Sequence, residues 1–116
     1  GGPQGLALVE EIPVLTFPGN PVSTMVSFEV FLRPLLRRAV GLPAVPTEDR
    51  VLDHAVTSIA GKRQFLRGRR TVTGVEVVSG PGSHLVAAFA WADVLMDVPA
   101  AVTSLAAGDR VKVWPL

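Results

Sequence analysis

Residues able to bind an anion are concentrated in one short stretch of the chain. Five of its eleven basic residues lie within nine positions: Lys62, Arg63, Arg67, Arg69 and Arg70. Arginine holds carboxylate, phosphate and other oxyanions through two parallel hydrogen bonds, so this density suits a polyanionic ligand. Charged residues also protect exposed strand edges, and the pattern alone favours this structural interpretation.

A rigid turn precedes the main helical pattern of the chain. In Pro18–Ser23 (PGNPVS), Asn20 suits an N-cap and Pro21 suits the first helical position. Helix N-termini present unpaired backbone N–H groups and a partial positive charge, which together attract anions. The turn is therefore either an oxyanion site or an ordinary capped helix start, and capped starts are the commoner of the two.

A Gly-Pro-Gly turn at 80–82 precedes Ser83 and His84. Its hydroxyl and imidazole suit an anion or the edge of a base, although such a sequence is more often only a turn. His54 is the other histidine of the chain. No spacing of His, Asp and Glu resembles a metal site, and no catalytic residue is identified.

The elements that must position these residues begin with a strand and a helix. Residues 12–17 (IPVLTF) predict a short buried strand, and apolar residues at helical spacing follow Asn20. Pro34 should kink or tighten the last turns because it cannot bond back to the carbonyl of Val30. Gly41 and Pro43 then stop the helix.

From Thr47 the pattern changes to short strands separated by glycine and proline. Gly68 and Gly74 interrupt two of these strands, and Gly68 favours a bulge. The predicted strands are 50–60, 64–66, 70–78, 83–89 (whose alanines also allow a helical turn), 94–98 and 110–114. This pattern predicts a mainly β chain, α+β overall, with a boundary at 42–48 that separates residues 1–42 from a small β-barrel or sandwich at 43–116.

Composition limits the classes of function. The chain has 116 residues, 48% of them apolar, a net charge of +1 and no cysteine. It can bury a core, and it has no global electrostatic attraction to nucleic acid or membranes. No apolar run approaches the roughly 20 residues needed to span a bilayer. The absence of cysteine is compatible with the cytoplasm, and a start at Gly1, without a signal peptide, indicates a piece of a longer protein.

Taken together, these segments resemble the C-terminal part of molybdopterin molybdenumtransferases, the MoeA/gephyrin family. The matching segments occur in the family's order and spacing over nearly the whole chain. They are residues 12–23 (IPVLTFPGNPVS), 28–29 (FE), 33–37 (RPLLR), 61–67 (GKRQFLR), 82–84 (GSH) and 105–111 (LAAGDRV).

The resemblance implies the end of an α/β pterin-binding domain, followed by the family's C-terminal β-barrel domain. It implies insertion of molybdate into adenylylated molybdopterin, with release of AMP, a divalent cation (usually Mg²⁺) and a homodimeric parent protein. Arg67 and Ser83 match residues of the family's active-site cleft. Pro18, Gly19, Asn20 and Pro21 match a characteristic loop of the family.

The resemblance also leaves alternatives open. The family's Gly-rich, Asp-containing motif is absent from these residues, so the chain alone should be inactive. Animal members of the family use this region as a receptor-binding scaffold, which makes a non-catalytic interaction module of the gephyrin type the alternative function. A nucleic-acid binder is disfavoured because the net charge is near zero and no aromatic residues alternate with the basic run.

Overall fold

The computed structural model describes residues 4–78 and 85–116. The chain divides into two compact units, Gly1–Leu42 and Pro43–Leu116. Each unit is described by itself below.

The first unit opens with a β-hairpin. Strands β1 (Gly5–Val9) and β2 (Ile12–Thr16) pair in antiparallel fashion, and Glu10 and Glu11 form the turn with φ values of 50° and 67°. Two positive φ values give a turn whose twist matches that of the strands. The sequence correctly predicted β2 as a strand, but its predicted burial was wrong, since four of its five residues are exposed. It did not predict β1, because a short apolar run such as GLALV is equally compatible with helix until a partner strand pairs with it.

The helical segment that follows has a wide turn at its centre. Helix α1 (Pro21–Ser27) leads into a π-helical turn (Phe28–Leu32) and then into α2 (Arg33–Ala39). The backbone N–H of Arg33 bonds to the carbonyl of Phe28, five residues earlier. Pro34, without an N–H, lies in the first turn of α2. The predicted disturbance is therefore present, but the helix widens one turn before the proline instead of tightening after it.

The first unit leaves most of its apolar residues exposed. Among residues 4–42, only Ser27 is buried. Large side chains from both the hairpin and the helices are exposed, including Leu6, Leu8, Ile12, Phe28, Phe31, Leu35 and Leu36. A groove of about 400 Å³ lies between hairpin and helices and is lined mainly by apolar residues such as Leu15, Phe31 and Leu35.

The second unit is a curled antiparallel sheet. Five strands run in the order β3-β9-β7-β5-β6, and β4 and β8 form a separate two-stranded sheet. The strands are β3 (Glu48–Val51), β4 (Val56–Thr57), β5 (Gln64–Arg70), β6 (Val75–Val77), β7 (Val94–Val98), β8 (Ser104–Leu105) and β9 (Arg110–Pro115). The prediction of a mainly β chain with a barrel-like sheet is confirmed.

The curl brings the segment after β3 against β6, at the far side of the sheet. Leu52 bridges to Val75, and the N–H of Asp53 donates to the carbonyl of Val75 at 3.0 Å. A Cβ atom on Gly74 would lie 2.0 Å from the carbonyl oxygen of Val51. Glycine is therefore required at position 74 by the close approach of two backbones.

A single apolar cluster fills the interior of the sheet, and partly buried Leu66, Val77 and Leu105 pack against it. Its buried members are Leu52, Val56, Val75, Val94, Met96, Val111 and Val113. Every residue of β7 is buried. Because successive side chains of a strand point to opposite faces, the central strand is covered on both faces.

Three predicted strand boundaries were wrong. The range 50–60 contains the end of β3, which begins at Glu48, and the whole of β4, separated by bends. Segments 64–66 and 70–78 were predicted as separate strands, but β5 runs without a break from Gln64 to Arg70. Within 83–89, residues from Leu85 belong to helix α3 (Leu85–Ala90), as its alanines allowed.

Candidate functional site

Arg67 lies in the middle of β5, a strand with neighbours on both sides. It is opposite Leu95 of β7, and its carbonyl accepts a hydrogen bond from the N–H of Val78 at 2.9 Å. Leu66 and Gly68 face the apolar cluster, so Arg67 lies on the opposite face of the sheet together with Phe65 and Arg69. The side chain is partly buried.

Gly68 keeps this strand regular. It is opposite Val77 on one side and Val94 on the other, so the ladder has no bulge and the predicted interruption is absent. A Cβ atom at this position would lie 3.0 Å from Cγ of Met96. Glycine here lets the neighbouring side chains pack closely, and the alternation along β5 places residues 65, 67 and 69 on one face.

Most arginines of the basic run are paired with carboxylates. Arg63 binds Asp97 of β7, Arg69 binds Glu76 of β6, and Arg70 binds Glu48 of β3. These pairs connect β5 to three other strands. The run therefore behaves largely as a set of structural contacts and not as an open patch for a polyanion.

The pair of Arg63 and Asp97 has the most enclosed carboxylate of the three. Asp97 is 6% exposed, and its two oxygens accept from Nε and Nη2 of Arg63 at 2.8 and 2.6 Å. Nε1 of Trp114 donates to the same carboxylate at 3.3 Å. Arg63 also stacks over Phe65 at 5.0 Å from the ring centre, and Phe65 meets Trp114 edge to face. This arrangement satisfies a buried charge on the face that carries Arg67.

Ion pairing shifts the pKa of several charged side chains. Hydrogen bonds from Arg70 and then Arg50 lower the pKa of Glu48. The pairing with Asp97 raises the pKa of Arg63, and the pairing with Glu48 raises the pKa of Arg70. Each shift favours the charged form, so these side chains remain ionised in the folded protein.

The Pro18–Pro21 turn is a complete helix cap. Oδ1 of Asn20 accepts from the N–H groups of Val22 and Ser23 at 3.0 and 3.2 Å, and the carbonyl of Asn20 accepts from the N–H of Thr24 at 2.9 Å. Pro21 has no N–H to offer. The backbone donors of residues 22–24 are therefore engaged within the turn. An anion would reach them only in competition with this cap.

Other residues singled out from the sequence lie elsewhere. Ser83 and His84, with the turn at 80–82, lie outside the described residues. His54 is exposed, with Nε2 3.8 Å from Glu76. Across 4–78 and 85–116, no group of three or more His, Asp or Glu side chains is arranged to hold a metal ion. The divalent cation that the resemblance implies for the longer parent protein stays a prediction.

Asp97 is the residue that sequence reasoning missed. It lies in β7 (VLMDV), where four apolar residues surround one carboxylate. An acidic residue inside a buried strand needs a counter-charge, so the pattern itself contained a signal for a partner. The identity of that partner, Arg63, depends on strand pairing and could not be read from spacing.

A sequence profile described as the MoeA C-terminal region (domain IV) matches residues 49–116. The chain is also 46% identical over its whole length to molybdopterin molybdenumtransferase 2 of Mycobacterium tuberculosis, and 33% identical over 97% of its length to molybdopterin molybdenumtransferase 1 of the same organism. It spans 30% of the length of each of these relatives.

Solved structures show the same fold. A molybdopterin biosynthesis MoeA protein from Pyrococcus horikosii superposes with a TM-score of 0.84 at 31% identity, over 97% of this chain and 28% of that one. A molybdenum cofactor biosynthesis protein from Pyrococcus furiosus superposes with a TM-score of 0.77 at 23% identity, over 96% of this chain and 40% of that one.

Proposed function

Because the chain belongs to the MoeA family, whose members act in molybdenum cofactor biosynthesis, we propose that it forms part of an enzyme that inserts molybdate into adenylylated molybdopterin and releases AMP. The observation that carries this proposal is the 46% identity, over the entire chain, to a protein named molybdopterin molybdenumtransferase 2. The chain spans 30% of that relative, so the reaction is assigned to a longer protein that carries it.

Arg67 is the described residue best suited to contact the oxyanion. It lies on a central strand with regular register, and the core on the opposite face holds that strand in place. A guanidinium offers a fork of N–H donors that fits molybdate or phosphate oxygens in pairs. Ser83, which the resemblance places in the same cleft, would add a hydroxyl donor.

The Pro18–Pro21 turn has a different part in this proposal. Since the cap occupies its N–H donors, we assign Pro18, Gly19, Asn20 and Pro21 to fixing the start of α1 and not to direct binding of the oxyanion. The magnesium ion of the family reaction is assigned no ligand among the described residues.

The full-length protein is assigned a compartment, an oligomeric state and substrates. The parent is a cytoplasmic homodimer, and its substrates are adenylylated molybdopterin and molybdate. The chain of 116 residues is inactive alone, because substrate-binding motifs of the family are not among its residues. No helix in the described part of the chain is long and apolar enough to cross a membrane.

The test uses the full-length protein that carries this chain. AMP release from adenylylated molybdopterin is measured against molybdate concentration for wild type, Arg67→Ala and Arg67→Lys. Loss of a charge-assisted contact worth about 1.5–3 kcal/mol should raise the KM for molybdate roughly 10- to 100-fold in Arg67→Ala. Arg67→Lys should be intermediate, because it keeps the charge but loses the fork.

Arg69→Ala is the matched control, since Arg69 lies on the same strand and face but is not among the residues that match the family's cleft. It should change the KM less than threefold. An unchanged KM in a well-folded Arg67→Ala protein would contradict the role of Arg67. A folded full-length protein with no molybdate-dependent AMP release would favour the alternative, a non-catalytic scaffold of the gephyrin type. Molybdate-dependent AMP release by the isolated chain would contradict its proposed inactivity.

A further inference from the structure

A buried negative charge lies close to Arg67. Asp97 is opposite Phe65, and Leu95 is opposite Arg67, so Asp97 and Arg67 are diagonal neighbours on one face of the sheet. Diagonal neighbours in an antiparallel pair lie about 7–8 Å apart. An anion bound by Arg67 would therefore be within range of the Asp97 charge.

The Asp97 charge is weakly screened by water, because its side chain is 6% exposed. Arg63 pairs with it through two hydrogen bonds, and the exposed Lys112 of β9 lies opposite Asp97 on the same face. Arg63 also stacks on Phe65, the residue opposite Asp97, which holds the guanidinium against this face. The pair as a whole contributes no net charge beside Arg67.

We propose that Arg63 acts through Asp97: it neutralises this buried carboxylate and so preserves the affinity of the Arg67 face for an oxyanion. This inference rests on the proposed function, in which Arg67 contacts molybdate or a phosphate. Arg63 and Asp97 are a positioning pair for that contact and do not themselves touch the substrate.

A second carboxylate on the same face provides an internal comparison. Glu76 is opposite Arg69, and Val78 bonds to Arg67, so Glu76 is also a diagonal neighbour of Arg67. Its partner Arg69 is 49% exposed and Arg63 is 56% exposed, but Glu76 itself is 25% exposed against 6% for Asp97. The two pairs therefore differ in how far water screens the carboxylate and in the second cationic neighbour, which is His54 for Glu76 and Lys112 for Asp97.

The experiment compares four variants of the full-length protein: Arg63→Gln, Asp97→Asn, the double variant with both changes, and Arg69→Gln. Steady-state AMP release gives the KM for molybdate and kcat, and thermal unfolding gives the Tm. With an effective dielectric constant of about 20–40, one uncompensated charge at about 8 Å weakens anion binding roughly 6- to 30-fold. Arg63→Gln should raise the KM by this factor, whereas Asp97→Asn should leave it unchanged or lower it.

The double variant separates this mechanism from a direct contact. It has neither charge of the pair, so its KM should return to within threefold of wild type. The KM of Arg69→Gln should stay within the same limit. If the double variant is as impaired as Arg63→Gln, Arg63 contacts the anion itself and the proposal is wrong. If Arg69→Gln and Arg63→Gln raise the KM for molybdate equally, burial of the carboxylate does not decide the effect, and that part of the proposal is wrong.

The outcome also has a defined meaning if Arg63→Gln fails to fold or if the Arg67 and Arg63 variants differ. If Arg63→Gln does not fold, the double variant alone decides, because it contains no unpaired buried charge: a near-normal KM supports the proposal and a defect of tenfold or more overturns it. If Arg67→Ala raises the KM but Arg63→Gln does not, this inference fails while the proposed function stands. If Arg67→Ala has no effect, the proposed role of Arg67 fails first.

Discussion

Replacing Gly74 with alanine would test how the curled sheet closes. The new Cβ atom would lie 2.0 Å from the carbonyl oxygen of Val51 and 2.9 Å from its carbonyl carbon. Both are backbone atoms, so a side-chain rotation cannot relieve the clash. The segment after β3 must move away from the β5–β6 turn, which is the contact that closes the sheet.

The size of the effect follows from the bonds at this contact. The N–H of Asp53 donates to the carbonyl of Val75 at 3.0 Å, and Oγ1 of Thr73 donates to Oδ1 of Asp53 at 2.7 Å. Loss of two such bonds costs about 2 kcal/mol, and overpacking adds about 1–3 kcal/mol. We expect the free energy of unfolding to fall by about 3–5 kcal/mol, a large share of the roughly 5–10 kcal/mol of a small domain.

The assay is urea unfolding followed by tryptophan fluorescence, because Trp91 and Trp114 both belong to the second unit. With a slope of about 1–1.5 kcal/mol per molar urea, the midpoint should fall by about 2–5 M or the domain should fail to fold. Gly68→Ala is the graded control: its Cβ would meet the side chains of Met96 and Val94 at 3.0 and 3.1 Å, which can shift. It should cost about 1 kcal/mol.

Val72→Ala, at a fully exposed position in the same turn, should stay within about 0.5 kcal/mol of wild type. A Gly74→Ala protein within that same limit would refute the reasoning, since it would mean that the two backbones can separate without loss.

Three further predictions concern single features of the two units. Replacing Glu10 and Glu11 with Asn-Gly should raise the free energy of unfolding of the first unit by about 1 kcal/mol, because both residues have positive φ, and far-UV circular dichroism during urea unfolding would measure it. Asn20→Ala should cost about 1 kcal/mol by the same measurement, whereas Asn20→Asp, which keeps a capping oxygen, should cost little; equal losses would exclude the cap as the cause. Hydrogen bonds from Thr71 and then Thr73 lower the pKa of Asp53, so its contribution to stability is complete above the ordinary Asp pKa of about 4 and is lost as the pH falls through the lower native value. Asp53→Asn should therefore reduce the loss of Tm on acidification below about pH 4, and an unchanged acid profile would contradict this.

Local signals in the sequence were sufficient for several elements. The Asn-Pro pair predicted the start of α1, and the structure has Asn20 as the N-cap. The stretches 94–98 and 110–114 predicted the strands β7 and β9, whose residues facing the apolar cluster are buried. These features depend on residues close together in the chain, so propensity, capping and periodicity contain the information.

Other features depended on contacts between distant residues. Gly68 considered alone predicts an interruption of the strand, but the side chains of Met96 and Val94 pack over it and β5 continues. The neighbouring strand β7 thus overrides the local preference of this residue.

The sequence by itself determined the family and the mainly β character, because motif order and alternation are properties of the chain. The role of Arg67 as an oxyanion residue is implied by the family resemblance and stays a prediction. Only the tertiary structure decided which arginines are engaged in ion pairs. The basic run from 62 to 70 looked like one cluster, yet Asp97, Glu76 and Glu48 come to it from three other strands. The partner of a charged residue is set only when the sheet assembles. The register of distant strands then decides which opposite charges lie close together and how far water screens them.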